Sequence, residues 1–546
     1  MMDWKSHLIV APILLPLVTA ALLLLIDERS RRLKMAINSI STLGLIAIAI
    51  ALAFAAVDKA PEAIVYLIGN WPAPFGIVLV LDRLAALMLV LTSLLGMASL
   101  SFALAHWYKA SPHFHTIFQL LLMGVNGAFL TGDLFNLFVF FEVMLAASYG
   151  LALHGSGPAR VKAGLHYIAV NLLASSLFLI GVSLIYGVTG TLNMADLAER
   201  ITQVAPHDRM LLEAGAAVLG VAFLIKAGMW PLNFWLAPTY TAAAAPIAAI
   251  FAIMSKVGIY VLLRLTPLMF GIEAGASYGF GNDWLYYGGM VTLAFGLIGV
   301  VASQAMGRLA SYSILVSSGT LLAAVGSGNT AMAGAALFYM ASSTLTIAAF
   351  FLLIELVERG QDAAANVLAV TMEAYGDDEE EEEDEDEVGI VLPATLAILG
   401  ILFGICAILL IGLPPFSGFI AKFLLIAAAF NGSSAMPELS MPVSPASWVL
   451  ITLILLSGLS ALIAMTRTGI RTFWGSLEGN VPRVLVREVV PIAGLLALCL
   501  ALTIAAGPAM KYMDATARSL HNPSDYIDSV LKAPRVGAGT EAAEVK

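Results

Sequence analysis

The chain has 546 residues, of which 60% are hydrophobic and only 12% are charged, and its mean hydropathy is +0.92. Soluble globular proteins carry charge on about 25% of their residues, so this composition excludes a soluble globule and indicates a polytopic membrane protein. The net charge of −10 has a local origin, because the eleven consecutive acids of Asp377–Glu387 outweigh a nearly neutral remainder.

Apolar runs long enough to cross a bilayer recur along the whole chain. The first, Leu8–Ile26, precedes two acids and not a small-residue cleavage site, which predicts an uncleaved span. The other runs of about 18 or more apolar residues lie at 36–57, 77–105, 115–132, 134–153, 164–187, 211–235, 240–266, 285–303, 309–326, 330–356, 390–430, 446–466 and 486–510. The sequence therefore predicts an all-α membrane protein with about fourteen transmembrane helices, spans 1–14.

Lysine and arginine concentrate in the short loops on one side of the predicted membrane. These loops carry Arg29, Arg31, Arg32, Lys34, Lys109, Arg160, Lys162, Arg308, Arg467, Arg471, Arg483 and Arg487. The positive-inside rule assigns that side to the cytoplasm. Both termini are therefore expected outside, and the acidic run is expected in the cytoplasm.

The spans suggest four regions. We expect N-terminal helices over 1–114, five-helix units over 115–266 and 267–466, and a last helix with a C-terminal tail over 467–546. The second unit would include an acidic loop over 357–389. Because each unit, spans 4–8 and 9–13, has an odd number of spans, the two would form inverted repeats, as in many transporters.

Proline interrupts span 7 and span 12, which occupy corresponding places in the two units. Pro231 lies within span 7, and Pro414 and Pro415 within span 12 free the backbone carbonyls of Leu410 and Ile411. Interrupted backbone at membrane depth is tolerated where it is buried in protein or lines a wet cavity. Spans 7 and 12 are therefore predicted to be broken helices.

One acid and three bases are predicted at membrane depth: Glu142 in span 5, Lys226 in span 7, Lys256 in span 8 and Lys422 in span 12. A charge at that depth costs about 2.5–3.5 kcal/mol on insertion scales, so each is a functional candidate. Lys422 lies seven residues past Pro415 of span 12, two turns on and on the same face. Three lysines are too many to pair with one glutamate, which favours a water-linked proton relay over the alternatives of snorkelling or static bracing.

Other polar residues have structural interpretations beside functional ones. These are Asp82, Asp133, His154, His166 and Ser342–Thr344. Asp133 fits the N-terminus of a helix, and the hydroxyls of Ser342–Thr344 suit either interhelical packing or a water-linked relay. The acidic run suits a solvated loop, with a cation-attracting antenna as the alternative.

The two cysteines, Cys406 and Cys499, each lie alone in an apolar run. Neither has the CxxC or Cys/His spacing that holds zinc, haem or an iron–sulfur cluster. We therefore expect no cofactor, no metal and no electron transfer within this chain. We also expect no nucleic-acid partner.

Five strings of the sequence resemble a known family. They are GDLFNLFVFFEV, FLIKAGMWPLNFWLAP, MSKVGIYVLLR, GRLASYSILVSSG and GLPPFSGFIAKF. They are similar to the proton-translocating antiporter-like membrane subunits of Mrp-type multisubunit cation/proton antiporters and of respiratory complex I. The lysine in the last string, the length and the acidic insertion resemble most the Mrp-type branch, whose members are also named for potassium efflux in pH adaptation.

The resemblance implies roles for the four deep charges. In that family a glutamate of span 5, lysines of spans 7 and 8 and a charged residue of span 12 carry the proton path. Here these positions are Glu142, Lys226, Lys256 and Lys422. Span 11 departs from the family, because Ser342 stands where a histidine is frequent. The central relay is therefore expected to depend more on water.

The resemblance implies a secondary ion transporter subunit and not an enzyme. We expect a proton-translocating subunit of a multisubunit Na⁺/H⁺ or K⁺/H⁺ antiporter in the bacterial inner membrane, with other Mrp-type subunits, protons, Na⁺ or K⁺ and membrane lipids as partners. One alternative is a proton-pumping subunit of a complex I-like or hydrogenase-like redox complex. Another is a scaffold subunit that transports nothing.

Overall fold

The structure, a computed structural model, is all-helical apart from one small hairpin. It describes residues 4–27, 29–105, 113–155, 157–374, 394–430, 443–473 and 484–535. The acidic run Asp377–Glu387 lies outside the described residues.

The N-terminal region contains three long helices and the hairpin. The helices are α1 (Ala11–Leu25), α2 (Arg31–Lys59) and α3 (Arg83–Ala103), and strand β1 (Ile64–Leu67) pairs antiparallel with β2 (Val78–Leu81). A 3-10 helix, Trp4–Val10, leads into α1, and two more lie at Ile68–Asn70 and Ile272–Ser277. The carboxylate of Asp82 fixes the start of α3 by accepting a 2.8 Å hydrogen bond from the backbone N–H of Ala85. Span 3 was predicted to begin at residue 77, so β2 takes its first residues.

The first predicted five-helix unit contains seven helices. They are α4 (Phe114–Leu130), α5 (Leu134–Ala152), α6 (Pro158–Thr189), α7 (Met194–Ile201), α8 (Arg209–Ala227), α9 (Leu236–Ala242) and α10 (Ala245–Phe270). Helix α8 ends at Ala227, and the non-helical residues 228–235 around Pro231 fill the rest of span 7; α9 begins at Leu236, just past the predicted end of the span at residue 235. The predicted break in span 7 is present.

The second predicted unit contains six helices. They are α11 (Asn282–Ala302), α12 (Met306–Gly326), α13 (Thr330–Ala374), α14 (Ala394–Ile411), α15 (Ser417–Phe430) and α16 (Pro445–Phe473). Helices α14 and α15 are separated at residues 412–416, which hold Pro414 and Pro415, so span 12 is also broken. Helix α13 continues well past residue 356, where the apolar run of span 11 ends.

Three helices follow the second unit: α17 (Val486–Ile504), α18 (Ala506–His521) and α19 (Ser524–Leu531). The sequence predicted only a tail after the last span. Helix α18 packs against α13, α10 and α3, whereas α19 packs against α7 and β1. The C-terminal residues therefore close one end of the bundle.

Twelve helices of the described residues are long and apolar enough to cross a membrane. The shorter apolar helices are α4 and the pair α14 and α15. Each of the fourteen predicted spans thus coincides with a helix or a broken pair, although the exact number of membrane crossings and the inverted repeats stay predictions. The most apolar 18 residues of helix α10 are all buried. The helix lies at the centre of the bundle, and α8, α12 and α13 pack against it. This central position matters because α10 carries Lys256.

Candidate functional site

Glu142 is half-buried on α5 and faces α6. The hydroxyl of Ser175, on α6, donates a hydrogen bond to Oε1 of Glu142. A neutral hydroxyl, and not a cation, is therefore the direct hydrogen-bonding neighbour of the acid. The sequence had singled out Glu142 but not Ser175.

Lys226 lies one residue before the end of α8, beside the break of span 7. Its Nζ donates a 2.7 Å hydrogen bond to Oδ1 of Asn171 on α6, and the ring centroid of Phe141 lies 5.9 Å from Nζ. Asn171 and Ser175 are four residues apart on α6 and therefore share one helix face. The neutral partners of the acid and of the first lysine thus lie one turn apart on the same face of α6.

Helix α10 approaches α8 closely beside Lys226. A Cβ added to Gly258 would lie 2.8 Å from the carbonyl oxygen of Phe223 and 3.2 Å from Cβ of Lys226, so only glycine fits this contact. Lys256 precedes Gly258 by two residues on α10. The close approach therefore places the two lysine-bearing helices side by side.

Lys256 points from α10 toward α12. Its Nζ donates a 2.9 Å hydrogen bond to Oγ of Ser317 on α12, and Ser317 shares a 3.0 Å hydrogen bond with Oγ of Ser343 on α13. A hydroxyl can donate and accept at once. The three lysines and their neutral hydrogen-bond partners are called the lysine line below. Ser317 and Ser343 extend this line from α10 to α13.

A small cavity of about 30 Å³ continues the line from α13 toward α15 and α16. Its polar lining includes Ser342, Ser343, Lys422 and Ser457. Since a buried water needs on the order of 10–15 Å³ and two to four polar partners, the cavity suits about two water molecules. Ser342 also shares a 2.9 Å hydrogen bond with Ser417, the first residue of α15. Ser342 therefore links α13 to the start of α15, the second half of span 12.

Lys422 lies on α15 against the break of span 12. Its Nζ donates hydrogen bonds to the carbonyl oxygens of Ile411 (3.0 Å) and Leu410 (3.4 Å) and to Oγ of Ser457 (3.0 Å). These two carbonyls are the ones that the prolines were predicted to free. The break brings Lys422 back to these carbonyls, whereas Lys226 donates to the side-chain amide of Asn171.

All three lysines are buried. The exposed fraction is 7% for Lys226, 1% for Lys256 and 9% for Lys422. The hydrogen bonds that their ammonium groups donate along this line end on an amide, a hydroxyl or a backbone carbonyl oxygen. The lysines are therefore held by neutral acceptors, an arrangement that suits groups whose charge changes.

Other candidates of the sequence have structural partners. Asp82 receives two hydrogen bonds, of 2.9 and 3.0 Å, from the guanidinium of Arg264. Asp133 accepts a 2.9 Å hydrogen bond from the backbone N–H of Asn136, as expected at the start of α5. His154 is buried against an aromatic ring at the end of α5. These contacts agree with structural roles away from the lysine line.

The sequence did not reveal one buried ion-pair group. Arg359, near the end of the described side chains of α13, pairs with Glu355 (2.8 Å) and with Glu488 in the first turn of α17 (2.9 Å). Glu488 is fully buried. The proximity of Glu355 and Arg359, four residues apart, is a helical pairing signal that the sequence does offer. Within the described residues, no three His, Cys, Asp or Glu side chains are grouped as a metal site would require.

Known proteins share both the sequence and the fold of this chain. Residues 131–441 match the family model described as "NADH:quinone oxidoreductase/Mrp antiporter, TM". The chain is 63% identical to the D subunit of a probable K(+)/H(+) antiporter of Rhizobium meliloti (strain 1021), over 98% of this chain and 100% of that protein. It is 35% identical to the D subunit of a Na(+)/H(+) antiporter of Alkalihalophilus pseudofirmus, over 96% of this chain and 100% of that protein. A chain in the structure of the Mrp complex from Dietzia sp. DQ12-45-1b is 27% identical and superposes with a TM-score of 0.79, covering 97% of this chain and 100% of that one.

Proposed function

Since the chain belongs to the NADH:quinone oxidoreductase/Mrp antiporter family of membrane proteins, we infer that it is a proton-translocating subunit of a multisubunit monovalent cation/proton antiporter. Its relatives are named as D subunits of K⁺/H⁺ and Na⁺/H⁺ antiporters. It is a transporter subunit and not an enzyme, and it works with the other subunits of an Mrp-type complex. The transport is secondary, so that inward proton movement through this chain drives cation export elsewhere in the complex.

One observation carries the proton-path proposal: the four deep charges, each hydrogen-bonded to neutral partners, follow one another across the core, with the close packing of α8 and α10 between Lys226 and Lys256. The proposed path starts at Glu142, passes Lys226 and Lys256, and ends at Lys422 at the break of span 12. Buried ionisable groups at membrane depth are costly and mark ion pathways. A set of three costly lysines on neutral acceptors is explained by proton transfer, whereas a scaffold would not need them.

The chemistry of each link differs along the line. The hydroxyls of Ser317 and Ser343 can pass a proton, because each both accepts and donates a hydrogen bond. The side-chain amide of Asn171 instead holds the ammonium of Lys226 in place by accepting from it. Between Ser343 and Lys422 lies the cavity, which is large enough for about two water molecules. These waters complete the relay. The proton then rests on Lys422, where two carbonyl oxygens and a hydroxyl stabilise the ammonium form.

We also propose the placement of the subunit. It lies in the bacterial inner membrane with both termini outside, as the distribution of cations among the short loops supports. In this orientation α18 and α19 cover the outer end of the bundle. The division of the chain at residues 114, 266 and 466, with spans 4–8 and 9–13 as inverted units, belongs to the same proposal and is supported by the two matching breaks.

Reconstitution tests the assignment to an antiporter complex. Vesicles that hold the complete complex and a pH-sensitive dye should show cation-dependent pH recovery, and vesicles that hold this subunit alone should not. A complete complex that lacks only this subunit should also fail. Robust exchange by the subunit alone would contradict the assignment.

Substitution of Lys422 tests the last step of the path. Lys422→Met keeps much of the apolar stem but removes the titratable amine, so cation-driven exchange should be lost. Lys532→Met is the control, because Lys532 is exposed and pairs with Asp528 on the surface of α19. Equal exchange rates in the two variants, at equal abundance, would contradict the role of Lys422.

A further inference from the structure

A groove lies between α8, α10 and α11. Its volume is about 300 Å³, and its lining is almost entirely apolar. The lining includes Leu224, Met229, Leu265, Met269, Phe280 and Trp284. None of the four deep charges lines it, so it is separate from the proposed proton path.

Exposed aromatic residues lie at and near the mouth of the groove, at the ends of spanning helices. Val221 and Trp284 line it and are exposed, Trp284 at 80%. Tyr278, three residues before Gly281 of the lining, is 64% exposed. Exposed tryptophan and tyrosine at the ends of spanning helices are typical of the interfacial aromatic belt. The groove therefore extends from the interface, where α8 begins, into the apolar region of that leaflet.

The size and chemistry of the groove fit a hydrocarbon chain. A cavity of about 150 Å³ lined by Leu, Ile and Phe binds benzene, so about 300 Å³ holds on the order of a dozen carbon atoms. The lining offers almost no hydrogen-bonding group to a polar ligand. A long, unbranched and flexible hydrocarbon that arrives from the bilayer meets all these conditions.

The charges at the mouth indicate the headgroup. Asp208 precedes the first residue of α8, Asp283 lies in the first turn of α11, and Glu273 lies in the 3-10 helix that follows α10; the cation Arg209 begins α8. Glu273 is exposed. The guanidinium of Arg209 already donates one hydrogen bond to the carbonyl oxygen of Ala274. This rim repels a headgroup with net negative charge and suits one that carries an ammonium group beside its phosphate.

We propose that this groove binds one acyl chain of a zwitterionic, ammonium-bearing phospholipid such as phosphatidylethanolamine. The chain enters past Trp284 and reaches Leu224 and Met229, on either side of the point where span 7 breaks. The ammonium group lies toward the acidic rim, and the phosphate toward Arg209. The bound lipid thereby packs against the start of the broken segment at Met229.

A matched pair of glycine substitutions tests the site. Gly220 lines the groove, and a Cβ there would meet no atom within 4 Å. Gly187 on α6 has the same free space but lies away from the groove. Gly220→Trp therefore fills the groove without displacing backbone, and Gly187→Trp is the control. Gly220→Leu is a smaller filling variant that retains the test if the tryptophan prevents assembly.

The purified complex is exchanged into nanodiscs that contain phosphatidylethanolamine with a photoactivatable group on its acyl chain. After irradiation, peptides of α10 from Leu262 to Met269 should carry the label. Gly220→Trp, or Gly220→Leu, should reduce this labelling at least tenfold, and Gly187→Trp should leave it unchanged. Labelled phosphatidylglycerol should give clearly weaker labelling than phosphatidylethanolamine.

Three results would overturn the proposal. One is equal labelling of α10 in the filled and control variants. The second is equal or stronger labelling by phosphatidylglycerol, which would remove the headgroup assignment. The third is crosslinking of α10 to another subunit in place of lipid, which would make the groove a protein interface. None of these outcomes affects the proton-path proposal, because the groove and the path share no residue.

Discussion

Replacing Ser317 by alanine should slow cation-driven proton exchange by about 10- to 150-fold while the subunit remains at normal abundance. Ser317 accepts a 2.9 Å hydrogen bond from Nζ of Lys256 and shares a 3.0 Å hydrogen bond with Ser343. A hydrogen bond to a charged group contributes about 1.5–3 kcal/mol. If charged Lys256 is an intermediate on the path, the barrier rises by this amount, and each 1.36 kcal/mol is about a tenfold change in rate.

The neighbouring serine provides a close control. Ser318 is as buried as Ser317, but its hydroxyl has no hydrogen-bond partner among the described residues. Ser318→Ala should therefore leave the exchange rate within about twofold of the wild type, since no hydrogen bond to a charged group is lost. The assay is dye-reported pH recovery in vesicles, normalised to the amount of subunit in the membrane. Equal rates in Ser317→Ala and Ser318→Ala would refute the serine relay.

The double variant of Ser317 and Ser343 makes the test stricter. Two links in series are not independent, so their effects on the barrier should not add. The double alanine variant should be only slightly slower than the slower single variant. Fully additive losses would indicate two separate structural defects and would contradict a single relay.

Three further predictions concern the ends of the line and the acidic run. Ser175→Ala should slow exchange about tenfold, because the carboxylate of Glu142 loses the hydrogen bond from the Ser175 hydroxyl, at a cost of about 1.5 kcal/mol. The control Ser176→Ala removes a hydroxyl that bonds only to its own helix, and it should not slow exchange in the same vesicles. Gly412→Ala should lower both the amount of subunit in the membrane and the exchange rate, since Gly412 has φ +81° and an added Cβ would lie 2.7 Å from Cδ of Lys422. A normal amount of subunit on immunoblots together with a normal exchange rate would contradict this contact. Replacing Asp377–Glu387 by a Gly/Ser linker of equal length should leave exchange intact, because like charges repel and stay solvated; a tenfold lower apparent cation affinity would favour the antenna.

The contacts that the sequence predicted are those set by local chain geometry. The proline pair of span 12 predicts a break that frees the carbonyls of Leu410 and Ile411. Lys422 lies 11 residues after Ile411, too far to reach its carbonyl along one continuous helix, so the contact forms because the chain turns at residues 412–416 and packs α15 against α14. The structure has both hydrogen bonds. The predicted break in span 7 follows from Pro231 in the same way.

The contacts that the sequence did not predict join helices that are distant in the chain. Asn171 and Lys226 are 55 residues apart, and Lys256 and Ser317 are 61 apart. Asn and Ser within apolar runs are ordinary packing residues in membrane helices, so nothing in one sequence marks which of them faces a lysine. The partner of Asp82 was missed for the same reason, because Arg264 is 182 residues away.

Short amphipathic elements were also missed. Helices α7, α18 and α19 and the hairpin of β1 and β2 fall below the length of an apolar run that could cross a bilayer. A scan for such runs detects only spanning elements. The closure of one end of the bundle by α18 and α19 therefore became visible only in the folded chain.

The most direct test of the central claim is the exchange rate of the Glu142→Gln complex, measured together with the abundance of this subunit. Glutamine retains the size of the side chain and can still accept the hydrogen bond from Ser175, but it cannot release a proton. We predict normal abundance with no cation-driven proton exchange, and partial exchange in Glu142→Asp, where the shorter carboxylate reaches its neighbours through water. Normal exchange at normal abundance in Glu142→Gln would contradict a proton path through Glu142.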